Sequence, residues 1–219
     1  MINQSVFARA LHILWPHGDA RITGLIESMI IDGPGLFDHF KLDLVSIANF
    51  MGEATEECGG GTDVEENLNY RAAVLHSQWP THFTAAQALQ MQHKPQLIAN
   101  QAYNGRMGNR SGSNDGYLYR GRGMMQTTGR DAYELLGKKM GLPLLNSPDL
   151  VNTPEHFLEA GLVDFVEICG CLPYAERDDE VNETRHLNGG LIGLKQRQTA
   201  IALWKHALGV DVAESAHSP

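Results

Sequence analysis

The chain has 219 residues, 42% of them apolar and 20% charged, a composition that builds a core and excludes a disordered chain. Lys and Arg number 17 against 26 Asp and Glu, a formal net charge of −9, which excludes a general affinity for nucleic acid or for an anionic membrane surface. No apolar run approaches the roughly 20 residues that a membrane helix needs, so membrane insertion is not expected.

Residues Met1 to Ala8 carry no Lys or Arg, and the apolar stretch behind them is broken by Arg9, His12 and Pro16. An export signal is therefore not expected. The first helical stripe is Phe7, Leu11 and Leu14; the second is Ile22, Leu25, Ile26, Met29 and Ile30, expected to end before Gly33-Pro34-Gly35. A third runs through Phe40, Leu44, Ile47, Ala48 and Met51 and stops at Gly59-Gly60-Gly61, because three glycines in a helix cost about 1 kcal/mol each. Residues 100–130 are rich in Gly, Asn, Ser, Arg and Tyr without a helical stripe, and read as a long irregular lobe with room for a short β-hairpin. Ser147-Pro148-Asp149 and Thr153-Pro154-Glu155 look like helix starts. Phe157, Gly161, Leu162 and Phe165 form a fourth stripe, and Ile201, Trp204 and Leu208 a fifth. The expected architecture is mainly α: one catalytic domain over 1–210 and a frayed tail over 211–219.

Cys58, Cys169 and Cys171 are an odd number, and the last two are too close for an easy mutual bridge, so no disulfide framework is expected. Neither the Cys-Gly-Cys spacing nor the ten His match a metal pattern. Arg120-Gly121-Arg122-Gly123 lacks the third glycine of a dinucleotide fingerprint. Trp79 and Trp204 read as core. Cys58 has no neighbouring base or cation to activate its thiol.

Charge is segregated. Six acids and no base lie between Met51 and Glu66; five Arg and one acid lie between Gly105 and Arg130. Both runs are either solvated faces or the two sides of a cleft. Within the acidic run, Glu57 and Glu66 are nine residues apart. On one continuous helix they would lie about 13 Å apart on opposite faces. The glycines between them end the helix and let the chain turn back. Glu57 then sits at the edge of the apolar stripe, half desolvated, a setting that suits a general acid, while Glu56 points to solvent.

Phe50-x-x-Glu53-x-x-Glu56-Glu57-Cys58-Gly59-Gly60, followed by Glu66-Asn67-Leu68-Asn69-Tyr70, resembles glycoside hydrolase family 19, and in particular the chitinase-like endolysins of bacteriophages and prophages. The resemblance continues through Ile98-Ala99-Asn100, Tyr103, Arg106-Met107-Gly108-Asn109 and Asp115-Gly116-Tyr117. It extends through Tyr119-Arg120-Gly121-Arg122-Gly123, Gln126-Thr127-Thr128-Gly129 and Leu187-Asn188-Gly189-Gly190 to Arg197. These blocks occur in the family's order over residues 50–197. The sequence departs from the pattern at Glu56 (usually His), Cys58 (usually Ser), Gly61 (usually Phe) and Ala132 (often Asn).

The resemblance implies a lysozyme-like fold and an inverting hydrolysis of β-1,4 bonds between amino sugars. Glu57 matches the general acid, Glu66 the general base, and Thr128 the hydroxyl that helps hold the attacking water. Tyr103, Gln126, Asn188 and Arg197 match substrate-contacting or supporting positions, with Arg197 expected to interact with the carboxylates and keep Glu66 ionised. Tyr70 and Arg120 are further substrate-contact candidates; Arg120 and Arg122 could equally pair with the acidic run, and Asn188 could be a turn residue only. No metal or cofactor is implied. The expected substrate is the glycan strand of peptidoglycan, cleaved by a monomer that waits in the cytoplasm of a phage-infected host and acts on the wall after release. The alternatives are a chitinase acting on N-acetylglucosamine polymers and an inactive glycan-binding relative.

Overall fold

The computed structural model describes residues 2–210. The chain forms twelve α-helices among them: α1 (Gln4–Leu14), α2 (Leu25–His39), α3 (Leu44–Cys58), α4 (Ala72–Gln78), α5 (Ala85–Met91), α6 (Pro95–Tyr103), α7 (Asp115–Leu118), α8 (Arg130–Met140), α9 (Pro154–Leu162), α10 (Leu172–Ala175), α11 (Glu180–Asn188) and α12 (Leu194–Leu208). The expected tail over 211–219 lies outside the described residues. Contacts divide the chain into two compact units. One comprises residues up to Val64 and from Asn152 onward; the other is Glu65–Val151.

In the first unit α3 lies against α12. Their approach is set by Gly52: a Cβ there would stand 2.4 Å from Ile201 Cγ1 and 2.7 Å from the Ile201 backbone nitrogen. Around this contact Phe50 meets Phe165 edge-on at 5.3 Å, and Phe7 meets Phe37 at 5.1 Å. Trp15 and Trp204 are both buried and both donate their indole N–H to Thr55 Oγ1, at 2.8 and 2.9 Å.

Two stripes depart from expectation. The second helix does not stop before Gly33-Pro34-Gly35 but runs through it to His39. Pro34 cannot donate to the Ile30 carbonyl, which instead accepts from Gln4 Nε2 at 3.0 Å. Gly33 serves proximity, since its Cβ would meet Phe7 at 2.7 Å. Phe40 caps this helix rather than opening the third, which starts at Leu44 with Asp43 accepting from Ser46 N–H. The third helix ends where expected: Gly59, Gly60 and Gly61 all take positive φ, at 56°, 62° and 88°. The fourth stripe forms α9 and continues as one π-helical stretch, Val163–Ile168. Ser147-Pro148-Asp149 opens a 3-10 turn, Pro148–Asn152, not an α-helix.

The second unit has its own small core of Leu68, Leu75, Phe83, Ala88, Ile98, Ala99 and Ala102, with Trp79, Tyr70 and Tyr103 packed against it. Its first three helices are short, without a long stripe. Residues 104–129 are largely irregular, and Asn and Asp side chains satisfy much of their backbone. Asn100 and Asn104 accept from the N–H groups of Tyr117 and Gly116, and Asp115 accepts from Arg110 N–H and its guanidinium. No full hairpin forms there; the pairings are the isolated bridges Glu65–Arg122 and Arg122–Thr127.

Candidate active site

Glu57 lies in the last turn of α3, its side chain one-fifth exposed, and Glu56 beside it faces solvent. The closeness of α3 and α12 brings Arg197, one turn before Ile201, onto Glu57 and onto Glu53, one turn earlier on the same face. Arg197 Nη2 donates to Glu57 Oε1 at 2.5 Å, and Nη1 donates to Glu53 Oε2. Thr184 Oγ1 donates to the other Glu53 oxygen at 2.9 Å. Glu53 is fully buried; burial pushes its pKa up, against the pull of Arg197. Burial pulls the Arg197 pKa down, but the two carboxylates outweigh it and hold it above the ordinary value.

Arg197 was expected to interact with the catalytic carboxylates; it bonds Glu57 and, beyond that expectation, Glu53, because helix packing decides which carboxylates a buried guanidinium meets. Glu53 stood in the acidic run and in the motif block without a role, although its spacing four residues before Glu57 is the signal that both share a helix face. Asn188 ends α11, is exposed, and donates to the Ile192 carbonyl at 3.2 Å within the turn that follows.

Glu66 lies in the second unit, in an extended segment just after the chain leaves the first. Its N–H donates to the Gly121 carbonyl at 2.9 Å, and Gly121 N–H approaches Glu66 Oε2 at 3.4 Å. Tyr103, at the end of α6, donates its hydroxyl to Glu66 Oε1 at 2.5 Å. Burial and this carboxylate both push the Tyr103 phenol up, so it stays a donor. Burial and the Glu66 charge push Tyr70 up as well, and its ring sits edge-on to Trp79 at 5.2 Å.

Gly121 is where these groups converge. A Cβ there would stand 2.9 Å from Gln126 Oε1, 3.2 Å from Thr128 Oγ1 and 3.4 Å from Glu66 Cβ. Thr128 Oγ1 donates to the Gln126 carbonyl at 2.8 Å, and Gln126 holds a left-handed backbone, φ 52°. Arg120 is committed to Glu65 at 2.8 Å and lies over the Tyr117 ring at 4.3 Å. The basic run therefore pairs in part with the acidic one, through Glu65.

Cys58 is buried, with its thiol pushed up to about 12 by burial. Among the described residues no group of three His, Cys, Asp or Glu could hold a metal, and no helix is long and apolar enough to cross a membrane.

No protein-family model matches the chain. A glycosyl hydrolase family 19 domain-containing protein of Haemophilus influenzae (strain Rd) is 34% identical over 152 residues, covering 68% of this chain and 74% of that protein. The chain belongs to glycosyl hydrolase family 19. It is thus a glycoside hydrolase of the lysozyme and chitinase type. Its mainly helical fold is shared with solved family members. Chitinase C from Streptomyces griseus HUT6037 aligns with a TM-score of 0.60 and 18% identity, over 95% of this chain and 92% of that one. A bacterial family 19 chitinase aligns at 0.59 and 22%, over 96% of each.

Proposed function

We propose that this family 19 hydrolase is an endolysin that cleaves β-1,4 bonds between amino sugars of bacterial peptidoglycan, with inversion. Glu57 is the general acid and Glu66 the general base that activates water, with Thr128 helping to hold that water. Tyr103, Gln126, Asn188, Arg197, Tyr70 and Arg120 contact substrate or support these groups. The enzyme is made in the cytoplasm of an infected host and meets the wall after release.

The contrast between the two carboxyl groups carries the assignment of roles. Glu66 accepts from a phenol and a backbone N–H, which fix the direction of its carboxyl oxygens. Glu57 faces an arginine whose charge the buried Glu53 shares and offsets. A site that runs on one proton donor and one acceptor needs carboxyls in different settings.

Charge favours peptidoglycan over chitin. The unit that carries Glu66 has nine Lys and Arg against six Asp and Glu; the rest of the chain has eight against twenty. Arg71, Lys94 and Arg106 of that unit are exposed. Peptide stems give peptidoglycan carboxylates that chitin lacks, so a locally basic surface suits the former.

Reducing-sugar release from purified peptidoglycan and from soluble chitin oligomers, with Glu57→Gln and Glu66→Gln as controls, tests the reading. Release from peptidoglycan that falls with added salt and vanishes in both folded variants is the expected result. Release from chitin alone would make the protein a chitinase, and release from neither would leave a glycan-binding relative.

A further inference from the structure

The Glu65–Arg122 and Arg122–Thr127 bridges make Arg122 the middle rung between two short segments. The residues that follow its two bridge partners are Glu66 and Thr128, the groups assigned above to activate and hold the water. Gly121, which precedes Arg122, bonds Glu66 through both its carbonyl and its N–H. The backbone of Arg122 therefore ties the base segment to the hydroxyl segment, and its N–H donates to the Thr127 carbonyl at 3.2 Å.

The side chain locks this rung. Arg122 is 2% exposed, an unusual place for a guanidinium. Its Nη1 donates to the Leu118 carbonyl at 2.8 Å, to the Tyr133 hydroxyl at 3.2 Å and, more weakly, to the Arg120 carbonyl at 3.5 Å. Its Nε lies 2.9 Å from Asp149 Oδ1 and 3.4 Å from Glu65 Oε2. Tyr133, itself fully buried, donates to the same Arg120 carbonyl at 2.9 Å. Both peptide units flanking Gly121 are thus held, one through the Arg120 carbonyl and the other through the Arg122 N–H. A planar fork with five donors serves several acceptors at once, whereas the ammonium of a lysine is a single point.

We propose that Arg122 is the positioning residue of the catalytic base: it touches no reacting atom but holds Gly121, and through it the register of Glu66 against Thr128. This rests on the assignment of Glu66 as base. It predicts an effect on turnover rather than on binding, since a misplaced base slows water attack while leaving the rest of the glycan contacts in place.

The test is Arg122→Lys in the full chain, assayed on peptidoglycan and on chitin hexamer, with amide hydrogen exchange measured on the same samples. We expect kcat to fall at least ten-fold with KM within two-fold. Exchange at the Glu66 and Arg122 amides should rise at least ten-fold, while amides of α6 keep wild-type protection. Wild-type kcat together with wild-type exchange at those two amides would overturn the proposal. Should Arg122→Lys fail to fold, Tyr133→Phe removes one partner of the guanidinium and the second hold on the Arg120 carbonyl. A fall in kcat of about three-fold with faster Glu66 exchange is then expected, and no change in either overturns the proposal. The exchange measurement needs no activity. A fully active Glu66→Gln would therefore sink the assignment of the base while leaving the positional claim separately judged.

Discussion

Arg197 on α12 joins two carboxylates of α3, donating to Glu57 at 2.5 Å and to Glu53 one turn earlier. Glu53 thereby helps to hold the guanidinium that meets Glu57. Glu53→Gln is expected to lower kcat about ten-fold, roughly 1.4 kcal/mol of barrier, by loosening that placement. An unchanged kcat in a folded variant would remove Glu53 from the account.

The Tyr103 hydroxyl reaches Glu66 Oε1 at 2.5 Å. A hydrogen bond to a charged group contributes about 1.5–3 kcal/mol. Tyr103→Phe should lower kcat roughly ten-fold and the melting temperature by about 3–10 °C, read by initial rates and by circular dichroism on heating.

A methyl group on Gly121 would crowd Gln126, Thr128 and Glu66 together. Gly121→Ala is expected to destabilise by about 1–2 kcal/mol, as overpacking does, and to cost more in kcat than any mildly destabilising change elsewhere in the unit. Parallel measurement of kcat and denaturant midpoint separates the two effects.

Glu183 on α11 is fully buried, and neither carboxyl oxygen has a hydrogen-bond partner among the described residues. Burial first, and then the charges of Glu53, Glu180 and Asp178, push its pKa up to about 9. The folded state thus keeps a proton that the unfolded chain releases near its ordinary value. Stability from this group is full in acid and is lost as pH rises toward about 9. Glu183→Gln should therefore stabilise the protein by on the order of 1–3 kcal/mol at pH 8 and by much less at pH 5. Equal shifts in melting temperature at both values would contradict this.

The Cys58 thiol, buried and pushed up to about 12, is inert at neutral pH despite its place beside Glu57. Cys58→Ala should retain activity within about three-fold, and alkylation with iodoacetamide followed by peptide mass analysis should leave Cys58 unmodified until the protein is unfolded. Modification of the native protein at this residue would show that the pocket opens.

Helices over Gln4–Leu14, Leu44–Cys58 and Leu194–Leu208 were legible because apolar spacing and glycine stops are local properties of the chain. The same holds for the turn that separates Glu57 from Glu66. The family resemblance drew its strength from ordered blocks over residues 50–197. Local rules failed at Pro34, where a side chain from another helix, Gln4, relieves the proline and lets the helix continue. They also missed the three short helices between Ala72 and Tyr103, which owe their stability to a shared core rather than to a long stripe of their own.

The carboxyl residues proposed for acid and base chemistry, and their order, were thus legible in the sequence alone. Which charges meet was decided only by tertiary structure. Arg197 lies 140 positions from Glu57. No periodicity reports that Gly52 lets Ile201 approach and sets this arginine on Glu53 and Glu57 rather than elsewhere. Nor does spacing show that Arg122 is buried among carbonyls at the centre of the base segment. Electrostatic partnership depends on distances of a few ångströms between groups far apart in the chain, and packing sets those distances.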